Sequence, residues 1–304
     1  SKLPDGTMHR YTYKDMYKRT KKLANALVNK LGVKQGDRVG TFAWNHYEHL
    51  ELYYGIPGVG AVCHTINLRL SVEQIAFVIN HAEDKVIFFD ATVAPLMEKA
   101  AVNATTVKHF VVINAKPDFK STLPNVIHYE DLIADQSDNF EWAEIDENDA
   151  CGLCYTSGTT GDPKGALYSH RSTYLHALTI SVGNASAINS NDRVLLIVPQ
   201  FHVMAWGYPY LCMMSGADMI MPSLHLQADS LIDLIQKEKV TYANGVPTIW
   251  MGVYDTLKKN PPKEKLTLRE FTVGGSALAT SLIKAFEKDF GINAVHAWGK
   301  TETS

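Results

Sequence analysis

A chain of 304 residues, 46% hydrophobic and 20% charged, has the apolar content of a globular protein with two domains or one large one. Its 29 Lys and Arg against 32 Asp and Glu leave a net charge of −3, so there is no broad basic field to hold a nucleic-acid backbone, and nucleic acid is excluded as a partner. No apolar run reaches the roughly 18–20 residues that cross a bilayer, the opening Ser1-Lys2-Leu3-Pro4-Asp5-Gly6 has no secretory pattern, and four cysteines suit a reducing cytoplasm, the expected location.

In chain order, Thr12 and Asp15 form a capping box, and Met16, Leu23, Leu27 and Leu31 continue at helical spacing until Gly32 ends the helix. Lys18, Arg19, Lys21 and Lys22 read as the solvated face of that helix. Residues 38–43 read as a strand. Ser71 and Gln74 cap a second helix ending near His81, and strands follow at 85–90 and 109–114. The polar stretch 134–148 is the predicted boundary between two subdomains, 1–145 and 146–304. Beyond it come apolar strands at 151–155, 194–199, 217–221, 271–273 and 293–297, separated by helical stretches. Short apolar strands alternating with helices predict an α/β fold of parallel-rich sheets layered with helices. Cys151 and Cys154 form a CxxC without the second ligand pair of a structural zinc site and away from a helix start, and so read as two small residues in a strand.

The segment Tyr155-Thr156-Ser157-Gly158-Thr159-Thr160-Gly161-Asp162-Pro163-Lys164-Gly165 sets four Ser/Thr hydroxyls and three glycines around one lysine. Glycines let backbone N–H groups converge on an anion, hydroxyls add donors, and Lys164 adds a compact charge suited to phosphate. The composition alone also suits a polar surface loop. It is not a Walker A loop, because no GK[ST] follows its first glycine at the required spacing.

The whole string resembles the phosphate loop of the adenylate-forming superfamily, which comprises acyl-CoA synthetases, luciferases and peptide-synthetase adenylation domains. Further matches follow the family's order: Leu31-Gly32-Val33-Lys34-Gln35-Gly36-Asp37-Arg38-Val39, Pro199-Gln200-Phe201-His202-Val203-Met204-Ala205-Trp206, Gly245-Val246-Pro247-Thr248, Gly274-Gly275-Ser276-Ala277 and Trp298-Gly299-Lys300-Thr301-Glu302-Thr303. The FHxxAWG and HAWG forms resemble the medium- and long-chain fatty-acyl branch. The resemblance implies two similar subdomains of an acyl-CoA synthetase N-terminal domain. It also implies an acid–thiol ligase with ATP and CoA as co-substrates, Mg²⁺ as cofactor and a carboxylic acid as substrate, and it leaves a homodimer open. The alternatives are a truncated, non-catalytic nucleotide- or acyl-binding protein and another adenylate-forming enzyme.

Carried over by position, Thr156, Ser157, Gly158, Thr159, Thr160 and Lys164 handle phosphates, and Glu302 with Thr156 holds Mg²⁺ through hard oxygen donors. Val203, Gly275, His296, Ala297, Trp298, Gly299 and Thr301 complete the ATP/AMP site. His202 lies between acyl carboxylate and α-phosphate, and His202, Trp206, Gly274 and Gly275 contact the acyl group. His202, Lys164 and Glu302 are the expected catalytic residues. At i and i+4, Trp206 would share a helix face with His202. On residues alone, His202 and Trp206 also suit ordinary core packing. Residues 198–210 hold no acid to pair an amino acid's ammonium, whereas Phe201, Val203, Met204, Trp206, Tyr208 and Tyr210 suit an alkyl or thioether chain.

Lys300 departs from the family pattern, which has an uncharged residue there. It turns 294–301 into a Walker-like string, but His296 and Trp298 fill the positions where small residues are needed. Lys300 is compatible with pointing away from the nucleotide, or with pairing to Glu302 or a phosphate. The family's ribose-binding Asp, hinge and C-terminal-domain Lys have no counterpart among these residues. The expectation is a partial enzyme whose C-terminal domain lies outside this chain, and which is inactive as the 304-residue fragment alone.

Overall fold

Thr12 and Asp15 cap α1 (Tyr13–Asn29) reciprocally, each side chain bonding the other's amide. Met16, Leu23 and Leu27 are buried along it. The helix ends before the predicted glycine stop: the Leu31 amide returns to the Ala26 carbonyl at 3.0 Å, and Gly32 follows with a left-handed φ of 64°. Arg19 is not part of a solvated face. Its guanidinium bonds the buried Glu51 at 2.7 Å and Glu130 at 2.6 Å. This computed structural model describes residues 1–156, 161–182 and 186–303.

Continuing along the chain are β1 (Arg38–Phe42), α2 (Tyr47–Gly58), β2 (Val62–Thr65), α3 (Val72–Ala82), β3 (Val86–Asp90), α4 (Ala94–Ala101), β4 (His109–Ile113), β5 (Ile127–His128), α5 (Tyr129–Ala134), β6 (Ala150–Tyr155), β7 (Gly165–Ser169) and α6 (His170–Ser181). Strands β1 to β7 form one seven-stranded sheet ordered β5-β4-β3-β1-β2-β6-β7. Every pairing in it is parallel except the antiparallel β6–β7 edge. Phe42, Ile75, Ile79, Ile87 and Phe89 are among the residues of its core.

The later elements are β8 (Arg193–Leu196), α7 (Tyr208–Ser215), β9 (Asp218–Ile220), α8 (Ala228–Lys237), β10 (Tyr242–Gly245), α9 (Pro247–Lys259), β11 (Glu270–Val273), α10 (Thr280–Phe290) and β12 (Asn293–His296). Their strands make a wholly parallel sheet ordered β12-β11-β10-β8-β9. Trp250 and Phe271 stack at 3.7 Å in its core, with Phe286 edge-on to both.

The two sheets share one winding order. Within each, the second strand lies on one side of the first, and the third, fourth and fifth run outward on the other. In each, the strand order reverses beside the first strand, and the carboxyl ends of parallel strands at such a reversal are where open α/β sheets bind ligands.

The chain divides into two compact units. The first comprises His9–Thr173 with Gln200–Met204; the second comprises Ser1–Met8, Tyr174–Pro199 and Ala205–Ser304. This differs from the predicted division at residues 145 and 146. β6 pairs in parallel with β2, so the strand leading into the phosphate loop extends the first sheet, and the polar 134–148 stretch is a connection within one unit.

Candidate active site

The segment expected to bind phosphate connects β6 to β7. β6 and β7 pair antiparallel down to Tyr155 and Gly165, and residues 156–164 join them. The Thr156 amide donates to the Lys164 carbonyl at 2.9 Å, and the Lys164 amide donates to Thr156 Oγ1 at 3.1 Å. These two bonds fix where the Lys164 side chain, which is exposed, leaves the sheet. A Cβ at Gly165 would lie 3.0 Å from Leu153 Cδ1, so the closing strand is tightly packed there. Beneath the loop, the Tyr155 hydroxyl bonds His81 Nδ1 at 2.6 Å, and its ring lies 5.1 Å from His64, which is itself paired to Asp84 at 2.7 Å. Burial raises the Tyr155 pKa, and the Asp84 charge adds to this, so the phenol stays protonated as an anchor. Ser157, Gly158, Thr159 and Thr160 lie outside the described residues.

His202 sits between two anchors in the first unit. On its amino side, the Gln200 amide donates to Asn45 Oδ1 at 2.6 Å, the Tyr53 hydroxyl bonds the Gln200 carbonyl, and Phe201 packs edge-on against Trp44 at 5.9 Å. On its carboxyl side, Met204 is buried, with Sδ 3.9 Å from Thr65 Oγ1, and lies where a Cβ at Gly152 would meet its Cε at 3.3 Å. The imidazole keeps accessible surface, yet the surrounding chain desolvates it. That effect first, and the Arg69 charge second, lower its pKa. The neutral ring, able to donate or accept a hydrogen bond, is the form favoured near pH 7.

The expected helix face shared by His202 and Trp206 is not formed. Val203, Met204, Ala205 and Trp206 have φ between 48° and 55°, and Gly207 follows at 74°, a left-handed turn. Such backbone costs non-glycine residues about 1–2 kcal/mol each, and the i, i+4 rule of right-handed helices does not apply to it. At its end, Gly207 faces the His176 ring, 2.9 Å from where a Cβ would lie.

In the second unit, the expected residues follow the carboxyl ends of β11 and β12. Gly274 lies under Trp206: an added Cβ would stand 3.0 Å from Trp206 Cη2 and 3.1 Å from the Ala297 carbonyl. Gly275 has φ 83°, a conformation that favours glycine, and an added Cβ would lie 3.6 Å from Val246 Cγ1. The Ala297 amide bonds the Val273 carbonyl at 2.8 Å, and His296 Nε2 is 3.2 Å from the Ser276 carbonyl. Trp298 is 80% exposed, Gly299 and Glu302 are also exposed, and Thr301 is buried. Lys300 bonds Thr303 through its backbone, and among the described residues it forms no ion pair with Glu302.

Several expectations change with packing. Val203 is 6% exposed, so it can offer a nucleotide little but backbone. Phe201 and Met204 are taken up by the core contacts above, and the Tyr208 hydroxyl bonds Tyr242 at 3.1 Å. Of the six residues expected to suit an acyl chain, Trp206 and Tyr210 remain partly accessible. Thr156, Lys164 and His202 fall in the first unit, whereas Trp206, Gly274, Gly275, the 296–301 segment and Glu302 fall in the second.

Motif reading missed the supporting residues. Asn244 is buried on β10, and its Oδ1 accepts the Ile197 and Val198 amides at 3.0 and 2.9 Å, where the segment leading to His202 leaves β8. Asn45, Tyr53, Thr65 and Gly152 likewise act through contacts distant in sequence. Only Asn244, placed just before Gly245-Val246-Pro247-Thr248, carried a positional signal.

The AMP-binding enzyme family matches residues 3–304. The chain is 45% identical over 300 residues to a medium-chain-fatty-acid–CoA ligase of Ectopseudomonas oleovorans, covering 98% of this chain and 55% of that protein. It is 45% identical over 301 residues to a 3-methylmercaptopropionyl-CoA ligase of Ruegeria lacuscaerulensis, covering 99% of this chain and 56% of that protein. The chain thus spans about half the length of these curated relatives. Its fold is similar to the crystal structure of an anthranilate CoA ligase in complex with anthranoyl-AMP, with a TM-score of 0.88 at 25% identity over 99% of this chain and 56% of that one.

Proposed function

The chain belongs to the AMP-binding enzyme family, and from that premise we propose that it supplies the nucleotide- and acyl-binding part of an ATP-dependent acyl-CoA synthetase. In this reading, a carboxylate attacks the α-phosphate of ATP to give acyl-adenylate and pyrophosphate, and the thiol of CoA then displaces AMP. The carrying observation is the closure of a glycine- and hydroxyl-rich segment by Thr156 and Lys164, with the Lys164 side chain exposed.

Lys164 compensates phosphate charge, while Thr156 and residues 157–160 contribute hydroxyl and amide donors. His202, neutral and held at both sides, orients the carboxylate and stabilises charge on the reacting phosphorus. Gly275 and residues 296–301 serve the nucleotide, with the open Trp298 ring as a face for the base. Glu302 and Thr156 fit Mg²⁺ by donor chemistry: both present oxygen, and the Glu302 carboxylate is exposed. When bound, the ion would neutralise phosphate charge; phosphates and water would complete its shell. Four unpaired, buried cysteines support a reducing, cytoplasmic setting, and among the described residues no helix is long and apolar enough to cross a membrane.

The acyl group is an unbranched carboxylate lying beside Trp206 and Gly274. The relatives named for medium-chain fatty acids and 3-methylmercaptopropionate support this, as does the absence of an acid in residues 198–210. The test is carboxylate-dependent ATP–pyrophosphate exchange by the full-length protein, across a ladder of straight-chain acids and a panel of amino acids. Specificity should climb with chain length, each buried methylene adding about 0.8 kcal/mol until the site fills. Preference for an amino acid would overturn the fatty-acyl assignment, and no exchange with any acid would overturn the synthetase reading.

A further inference from the structure

A continuous path of contacts runs from α3 to Lys164. Tyr155 ends β6, is 8% exposed, and pairs across the ladder with Gly165 on the edge strand β7. Gly165 has no side chain to offer, and the Tyr155 ring occupies that place: a Cβ there would lie 3.3 Å from Tyr155 Cζ and 3.6 Å from Cε1. The next residues outward are Thr156 and Lys164, tied by their bonds of 2.9 and 3.1 Å. At the tip of the ring, the Tyr155 hydroxyl meets His81 Nδ1 at 2.6 Å, and a phenol kept protonated by burial can donate to that nitrogen. His81 stands in the last turn of α3, and its ring stacks on Phe77, four residues earlier, at 5.4 Å and 27°. Phe77 packs in turn against the core of the first sheet. The point at which the phenol ends is therefore set by a ring that α3 itself holds.

We propose that His81 is a positioning residue for Lys164: by holding the Tyr155 hydroxyl it fixes the ring against Gly165, and with it the place where the Lys164 side chain leaves the sheet. The proposal rests on the phosphate role of Lys164 proposed above. His81 touches no substrate or reacting atom in this scheme; it acts only through Tyr155. An aromatic ring paired with glycine has no cross-strand side chain to fix its direction, so the bond at its tip does so. Without that bond the ring can swing away from Gly165, and the last rung of the ladder, which carries Thr156 and Lys164, loses its support. Lys164 serves the phosphates of ATP, whereas transfer from acyl-adenylate to CoA starts after pyrophosphate has left. A residue that positions Lys164 therefore matters to the first half-reaction and not to the second.

The experiment measures ATP–pyrophosphate exchange, and thioester formation from supplied acyl-adenylate, by the full-length protein. The variants are His81→Ala, His81→Asn, Tyr155→Phe, Lys164→Ala, His81→Ala/Tyr155→Phe and His81→Ala/Lys164→Ala. Misplacing a group by about 1 Å can cost about 10²-fold, and Lys164 keeps its bonds to Thr156, so His81→Ala and Tyr155→Phe should each lower exchange by about tenfold. Thioester formation should stay within about twofold of wild type in both, a split that general damage to the fold would not produce. His81→Asn sets an amide oxygen near the place of Nδ1 and should recover most of the exchange rate. His81→Ala/Tyr155→Phe should be no slower than either single variant, because both break one bond, and His81→Ala should cost nothing further in the Lys164→Ala background. Wild-type exchange in His81→Ala, equal losses in the two half-reactions, or additive losses in either double variant overturns the positioning role. Unchanged exchange in Lys164→Ala instead overturns the reading on which it rests. If His81→Ala does not fold, Tyr155→Phe, which deletes a single oxygen, takes its place alone and with Lys164→Ala under the same criteria.

Discussion

Gly274→Ala tests the contact that carries the acyl-site reading. The new methyl would stand 3.0 Å from Trp206 Cη2 and 3.1 Å from the Ala297 carbonyl oxygen. Comfortable carbon–carbon separation is about 3.5–4.0 Å, so the indole must retreat by roughly half an ångström. The carbonyl has less freedom, because the Ala297 amide is tied to Val273 at 2.8 Å. Overpacking of this kind costs about 1–3 kcal/mol, and with two opposed contacts we expect about 2 kcal/mol. Truncating Trp206 removes one of them. In a Trp206→Ala background the cost of Gly274→Ala should therefore fall to about 1 kcal/mol, a coupling of about 1 kcal/mol. Urea unfolding of all four proteins, followed by far-ultraviolet circular dichroism, measures the cycle without relying on the deleted fluorophore. Additivity within about 0.5 kcal/mol would show that the indole does not lie against Gly274, and the argument would fail.

Lys164→Ala should slow pyrophosphate exchange by about 10²–10³-fold while sparing thioester formation from supplied acyl-adenylate; equal losses in both half-reactions would refute its phosphate role. Glu302→Gln should raise the Mg²⁺ concentration needed for half-maximal exchange, and an unchanged requirement would remove Glu302 from the metal site. Burial first, and the nearby His46 charge next, lower the His49 pKa from 6.5 to about 3; its ring bonds the Trp44 carbonyl and Thr41 Oγ1, each at 3.0 Å. The folded pKa lies below the unfolded one, so this stability is full above pH 6.5 and is lost as pH falls toward 3. Between pH 6.5 and pH 5 the loss should be about 2 kcal/mol, read as a slope in urea unfolding that His49→Gln diminishes; a His49 imidazole resonance titrating near 6.5 in the folded protein would refute it.

What was legible in the sequence was what is local. The reciprocal caps of α1 and α3 are written in adjacent residues, and the apolar runs of β3, β4 and β11 fell within a residue of their observed limits. α2 escaped notice because it is buried nearly all round, enclosing Glu48, His49 and Glu51, and so has no polar stripe to mark a helical period. β7 escaped because it is an edge strand whose residues are mostly exposed or half-buried, with no alternation to read. The phosphate loop, His202 and the glycine pair were found by resemblance. The turn after His202 was misjudged because Val203-Met204-Ala205-Trp206 holds no glycine to announce a left-handed backbone. The Met204 side chain within it packs against Thr65 and Gly152, which are distant along the chain.

The first unit is discontinuous, and this sets an order of events on the ribosome. All seven strands of its sheet are made by Ser169, but Gln200–Met204 emerge only after β8 has been synthesised. Until then the seat that receives Phe201 and Met204, formed by Trp44, Thr65 and Gly152, is an open apolar slot on a nascent domain. Domains fold as units during synthesis, and transiently uncovered apolar surface is where nascent chains aggregate or meet chaperones. The segment bearing His202 is thus a late plug, and lesions in it should reduce the yield of soluble protein as well as its turnover.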